Sequence, residues 1–208
     1  MNGISQYYIR KLNPKVKSLL TRILYFGTNV KIGKNFTCDS IPSIMIDKSC
    51  RLIIGDDVEL RRNVEIRVHG TAEINIGNKV RIDRGVRILA ANKAKIKIGD
   101  STRIGLYTVF NGGDSITIGE KTLISGFVYL QTSMHGFRSK SVSVQEQGYE
   151  HKPVILEEDT WLGTHVVVMP GVSIGQGSVV GSNSVVTKSV LPFKVMAGIP
   201  AIELKERE

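Results

Sequence analysis

Four histidines, His69, His135, His151 and His165, are the side chains of this chain best suited to moving a proton near neutral pH, because an imidazole ordinarily titrates near ~6.5. A metal site would need several of them to converge with supporting partners. His69 lies far upstream, and His151 and His165 have no HxH or HxxxH companion, so zinc is not expected. No Gly-rich phosphate loop, GxSxG elbow or evident Cys–His pair occurs. A lone histidine usually has a surface or structural role. His135 is distinguished by its position, where a regular repeat gives way to a polar insertion over 133–152 that holds Arg138, Lys140, Gln145, Glu146, Gln147 and Glu150. Long insertions on rigid scaffolds are where function tends to sit.

The repeat is what must position these groups. Leu156, Leu162, Val168, Ile174, Val180 and Val186 fall six apart, and Val154, Thr160, Val166, Val172, Ser178 and Ser184 form a second series on the same interval. Upstream the beat is stretched: Ile32-Gly33, Ile54-Gly55, Ile76-Gly77 and Ile98-Gly99 recur every 22 residues, and Ile118-Gly119 follows 20 later. Six-residue steps persist within each coil (Leu60 to Ile66, Ile82 to Ile88, Ile104 to Phe110), so the surplus is expected at one corner, over 67–73, 89–95 and 111–115. This period is neither helical nor that of a hairpin strand. It predicts a parallel β-helix, in which stacked coils bury what no single repeat could bury alone.

The chain has 208 residues, 41% hydrophobic and 6% aromatic, which fits one all-β domain with a narrow aliphatic core. Cys38 and Cys50 are expected as buried thiols in a reducing cytoplasm. There is no signal-peptide pattern and no apolar run near the ~20 residues that cross a bilayer, so a soluble protein is expected. The net charge of +9 suits a phosphorylated cofactor or an anionic membrane face; no base-stacking motif points to nucleic acid. Arg61, Arg62, Arg67, Arg81, Arg84 and Arg87 alternate with apolar positions and read as solvated surface.

Three segments follow: an N-terminal helical cap over 1–27, the β-helix over 28–190 with its extrusion at 133–152, and an extended tail over 191–208 whose last six residues are expected to fray. Asn13-Pro14 reads as an N-cap with Pro at the first helical position. Val16, Leu19, Leu20, Ile23 and Leu24 then follow helical spacing, with Lys15, Lys17 and Arg22 on other faces. Such a helix could plug the open end of the coil stack or lie on an anionic membrane; the plug is the preferred expectation.

The run from Trp161-Leu162-Gly163-Thr164-His165 through Met169-Pro170-Gly171, Thr187-Lys188 and Ala197-Gly198-Ile199-Pro200 resembles the hexapeptide-repeat acyltransferases, in particular the galactoside, maltose and polysaccharide O-acetyltransferases. About 100 residues carry it, with Ile118-Gly119 preceding His135 at the family's interval. The resemblance implies a left-handed parallel β-helix, a cytoplasmic homotrimer with sites between subunits, acetyl-CoA as co-substrate, no metal, and a sugar hydroxyl as acceptor during cell-surface polysaccharide assembly. Localisation at the inner membrane face would suit a lipid-linked acceptor.

Carried across by position, His135 would be the general base, a role typically worth ~10²–10⁴-fold. The oxyanion would be met by a backbone N–H of the following coil. Trp161 would stand at the site margin, Gly163, Thr164 and Ser182 along the pantetheine arm, and Thr187 and Lys188 toward the adenine and phosphate. Lys205 would take the 3′-phosphate. Ile199 and Ile202 depart from the family's polar tail, which would move phosphate recognition to Lys194, Lys205 or Arg207. No sugar-binding asparagine matches securely; Asn111 and Asp114 are the candidates, with turn chemistry in Asn-Gly-Gly-Asp as the alternative. An amino-sugar N-acetyltransferase and a non-catalytic β-helix scaffold are the competing readings.

Overall fold

The computed structural model describes residues 13–208; the first twelve residues of the expected 1–27 cap lie outside the described residues. From Val30 onward the chain winds as a parallel β-helix with three faces. The first face stacks seven strands from Val30–Ile32 to Ser173–Ile174. The second runs from Thr37–Cys38 to Val179–Val180 and is extended by two tail strands. The third stacks seven from Ser43–Ile46 to Val185–Val186.

Registry follows the repeat. Leu52, Ile74 and Ile96 stack on the first face, Ile82, Ile104 and Ile124 on the second, and Ile88, Phe110 and Leu130 on the third. All are buried, forming one core along the whole axis. The strands of the third face run further than the sequence suggested, to Val68, Ala90 and Gly112, so the surplus residues sit in tighter corners. The other two corners are four-residue turns, most of which place one non-glycine residue in the left-handed region, such as Asp57, Lys79, Ser101 and Lys121 at the first corner. That residue reverses the chain at constant length, which is what holds the six-residue beat. At the second corner Tyr107, Phe127 and His165 occupy this position, and their rings stack at 5.4 and 4.8 Å.

Carboxylates at the first corner stitch coil to coil. The Asn78 backbone N–H donates to Asp100 Oδ1 at 2.8 Å, which together with the Asn78 side-chain amide holds that carboxyl below its ordinary value. At the third corner the Gly70 N–H does the same for Asp47. A depressed folded-state pKa gives stability that is complete above the unfolded value of ~3.9 and is lost as pH falls through the folded value. Thermal unfolding between pH 5 and 2 should therefore show a falling midpoint that is shallower in Asp100→Asn.

Helix α1 (Pro14–Leu24) is capped as its sequence suggests, Asn13 Oδ1 accepting from the Lys15 N–H. It closes the open end, but through its polar side. Thr21 is 0% exposed and Ser18 is buried, while Ser18 Oγ accepts from the Cys38 N–H at 3.1 Å. Lys17 Nζ donates to the Asp39 carbonyl at 2.7 Å, and the Arg22 guanidinium takes the carbonyls of Ile32 and Gly33. The first coil leaves its outer backbone groups unpaired, and these side chains satisfy them. The tail is strand rather than frayed chain: Lys194–Gly198 pairs parallel to Val179–Val180, and Ala201–Glu206 returns antiparallel to it.

Candidate active site

The insertion leaves the third corner as an antiparallel hairpin, Ser133–His135 against Tyr149–His151. Its register sets Ser133 opposite His151 and His135 opposite Tyr149, so by alternation these four side chains share one face and Met134 and Glu150 the other. His135 is exposed, its ring 4.1 Å from that of Tyr149 between centroids. Tyr149 in turn stacks at 6.0 Å on His151, whose Nδ1 lies 2.8 Å from Ser133 Oγ. Tyr149 and Ser133 carry no signal in the sequence, where His151 stands only as one of four histidines without a metal-binding companion. What brings them together is their pairing across the insertion, which a polar segment does not advertise.

The hairpin base rests on the Asn111–Asp114 corner. A Cβ on Gly113 would crowd the Ser133 hydroxyl and the His151 ring, so glycine leaves room for that pair without a side-chain shift. Thr132 Oγ1 donates to the Asn111 carbonyl at 2.7 Å and accepts from the Asp114 N–H at 3.0 Å. Asp114 Oδ1 accepts from the Ser115 N–H. Turn chemistry therefore occupies part of Asp114, and both residues lie beneath the histidine-bearing hairpin. The opposite hairpin face meets Pro170 over a cavity of ≈ 70 Å³ lined by Met134, Phe137, Glu150, Lys152 and Pro170. That volume is too small for a sugar.

The candidate cofactor residues divide between two places. Trp161, Val179, Val195 and Lys205 follow one another in register along the outside of the second face. At ~4.8 Å per strand, Trp161 and Lys205 stand about 14 Å apart. The indole Nε1–H donates to Ser125 Oγ at 3.3 Å. Beside this row runs the second corner, where a Cβ on Gly163 would meet the Ser182 backbone nitrogen at 2.6 Å and Thr164 Oγ1 donates to the Gly126 carbonyl. Thr187 and Lys188 instead follow Val185–Val186 at the third corner, above the hairpin. The third face, whose strands beside the hairpin hold two or three residues, separates His135 from Gly163, Thr164 and Ser182 within one chain.

Two of the three tail cations have partners. Lys194 pairs with Glu203 at 2.9 Å and Glu206 at 3.1 Å, and Glu203 first, then Glu206, raises the ammonium pKa above its ordinary value. Arg207 pairs with Asp159 at 2.8 Å and donates to the Gly177 carbonyl. The alternative phosphate contacts at Lys194 and Arg207 are thus engaged in holding the tail, which leaves Lys205, at the end of the Trp161 row, as the better placed. Several coil arginines are likewise ion-paired: Arg61 and Arg81 on Glu59, Arg67 and Arg87 on Glu65. Among the described residues no group of three or more His, Cys, Asp or Glu side chains is placed to hold a metal, and no helix is long and apolar enough to cross a membrane.

Residues 153–188 match the model of the bacterial transferase hexapeptide (six repeats). The chain is similar to the galactoside O-acetyltransferase of Escherichia coli (strain K12), at 36% identity over 93 residues, 44% of each chain. It spans about half the length of the curated relatives it matches. It superposes on the acetyltransferase VCA0836 of Vibrio cholerae O1 biovar eltor complexed with acetyl coenzyme A, with a TM-score of 0.54, 25% identity and coverage of 99% of this chain and 85% of that one. The fold is shared also with AntD, an N-acyltransferase from Bacillus cereus in complex with dTDP-4-amino-4,6-dideoxyglucose and Coenzyme A, at a TM-score of 0.63, 22% identity, and 91% and 89% coverage.

Proposed function

Because residues 153–188 carry the bacterial transferase hexapeptide, we propose that the chain is an acetyl-CoA-dependent O-acetyltransferase acting on a saccharide hydroxyl. The observation that carries this reading is His135, an exposed imidazole held against Tyr149 above the Asn111–Asp114 corner. His135 takes the proton of the acceptor hydroxyl as that oxygen attacks the thioester carbonyl, and the proton then passes to the departing thiolate. Tyr149 fixes the plane of the base, and Asn111 and Asp114 lie where an acceptor would rest. Trp161, Gly163, Thr164 and Ser182 offer a shallow track of small residues beside an indole, ending at the Lys205 ammonium, which suits a pantetheine arm and a phosphate. Thr187 and Lys188 stand on the His135 corner and would meet a cofactor bound to a neighbouring copy.

The width of the third face has a consequence for assembly. A donor lying along Gly163 and Ser182 reaches a His135 more readily if the histidine belongs to another subunit, so the proposed working unit is an oligomer, a homotrimer as the resemblance to the hexapeptide-repeat acyltransferases implies. Free, buried Cys38 and Cys50 fit a reducing cytoplasm, and cell-surface polysaccharide assembly would supply the acceptors. The likeness to AntD favours one second reading, transfer to an amino sugar.

Thiol release from acetyl-CoA with a panel of matched hydroxy and amino sugars separates the two. The hydroxy series should be turned over with a product ester labile to mild base. A base-stable amide formed from the amino series alone would replace O- by N-acetylation, and no thiol release with any acceptor would leave only a scaffold.

A further inference from the structure

Sealing the first coil with its polar side turns the apolar stripe of α1 outward. Val16, Leu19, Leu20, Ile23 and Leu24 follow the i, i+3, i+4, i+7, i+8 spacing of one helix face, and all are exposed, Ile23 at 63%. Phe26, just past the helix, is 89% exposed and extends the stripe. The inversion has a definite cause. The chain end presents backbone donors and acceptors that require polar partners, so Ser18, Thr21, Lys17 and Arg22 must face inward, which leaves nothing on the coil for the leucines and isoleucines to cover.

The charge around this stripe selects its partner. Asp39 is the first acidic residue of the chain, after seven lysines and arginines. Exposed Lys15, Lys31, Lys34 and Lys48 surround the same end, on the helix, on the first face and at two corners of the first coil. The two acidic residues of that coil are occupied: Asp39 pairs with Arg61, and Asp47 accepts from the Gly70 N–H. A basic rim around an apolar helix face matches an anionic bilayer surface, where the stripe enters the acyl boundary and the lysines meet headgroup phosphates. A second copy docked end to end would set two such basic rims against each other.

We infer that the N-terminal end of the β-helix is a lipid-docking surface, with α1 lying in the interface of an anionic membrane and the coil stack standing away from it. This holds whatever the acetyl acceptor, and so does not rest on the enzymatic reading.

The test is co-sedimentation of the full chain with vesicles of phosphatidylcholine alone or with 30% phosphatidylglycerol. Wild type should bind the anionic vesicles about tenfold more tightly, and less so as salt is raised. Leu19→Ser/Ile23→Ser, both exposed and so compatible with an unchanged circular dichroism spectrum, should lose most of that binding, and Lys15→Glu/Lys34→Glu should lose it about fivefold. Binding that persists unchanged in the serine variant overturns the inference, as does a wild-type chain that ignores anionic vesicles. A lipid-free end-to-end dimer dissolved by the serine variant overturns it too, in favour of self-association. Acetyl transfer to a soluble sugar should be the same in all these variants, so a chain that binds vesicles and transfers no acetyl group counts against the proposed chemistry alone.

Discussion

Replacing His135 with Ala lowers kcat/KM for acetyl transfer by about 10²–10⁴-fold, the usual worth of a positioned general base. The fold should be untouched, because the side chain is exposed on the hairpin and its recorded contact is the Tyr149 ring. The effect should fall on kcat more than on the KM for acetyl-CoA, since the imidazole is proposed to act on the acceptor proton and the proposed pantetheine track lies one face away. Tryptophan fluorescence titration with CoA, read through the single Trp161, should give the same affinity in both proteins. A variant that transfers acetyl at the wild-type rate would mean that another group is the base, with His151 the nearest on the same hairpin face.

Ser182→Trp should abolish the other half of the site. Ser182 is exposed, and its backbone nitrogen stands against Gly163. An indole projecting there fills the corner along which the pantetheine arm is proposed to run without entering the core. We expect kcat/KM to fall about 100-fold through KM for acetyl-CoA, equivalent to ~2.7 kcal/mol of lost binding. The residual rate at saturating donor should stay near that of wild type, which separates this variant from His135→Ala.

The coil stack was legible in the sequence because one physical constraint repeats: a four-residue turn with a left-handed residue fixes the chain length between successive inward side chains, as Ile82, Ile88, Ile104 and Phe110 record. The same arithmetic also places the site residues. Trp161 and Thr187 stand on different parts of the triangle because the six-residue steps between them do not bring the chain back to the same place, so the divided site could have been read from spacing alone. Other features leave no periodic trace. The hairpin of Ser133–His135 and Tyr149–His151 is only three residues long on each side and mostly polar, so nothing in its composition reports the pairing that brings Tyr149 against His135. For α1, periodicity gives the apolar stripe but not its direction. The orientation is set by unpaired backbone groups of the first coil, Ile32, Gly33, Cys38 and Asp39 among them, which outweigh the burial of Leu19 and Ile23. Residues 203–208, expected to fray, are instead held in place: Glu203 and Glu206 pair with Lys194, and Arg207 with Asp159.

The central claim is that one chain supplies the base and another the donor track, and it is tested by mixing the two inactive variants. At acetyl-CoA well below the raised KM of Ser182→Trp, that variant and His135→Ala should each assemble alone and be nearly inactive. Denatured together in equal amounts and refolded, random trimers place an intact histidine beside an intact track at about one quarter of all sites. The account predicts recovery to about that fraction of wild-type activity, under conditions where each variant refolded alone stays silent. Mixed trimers, verified by mass, that remain as inactive as their parents would contradict it.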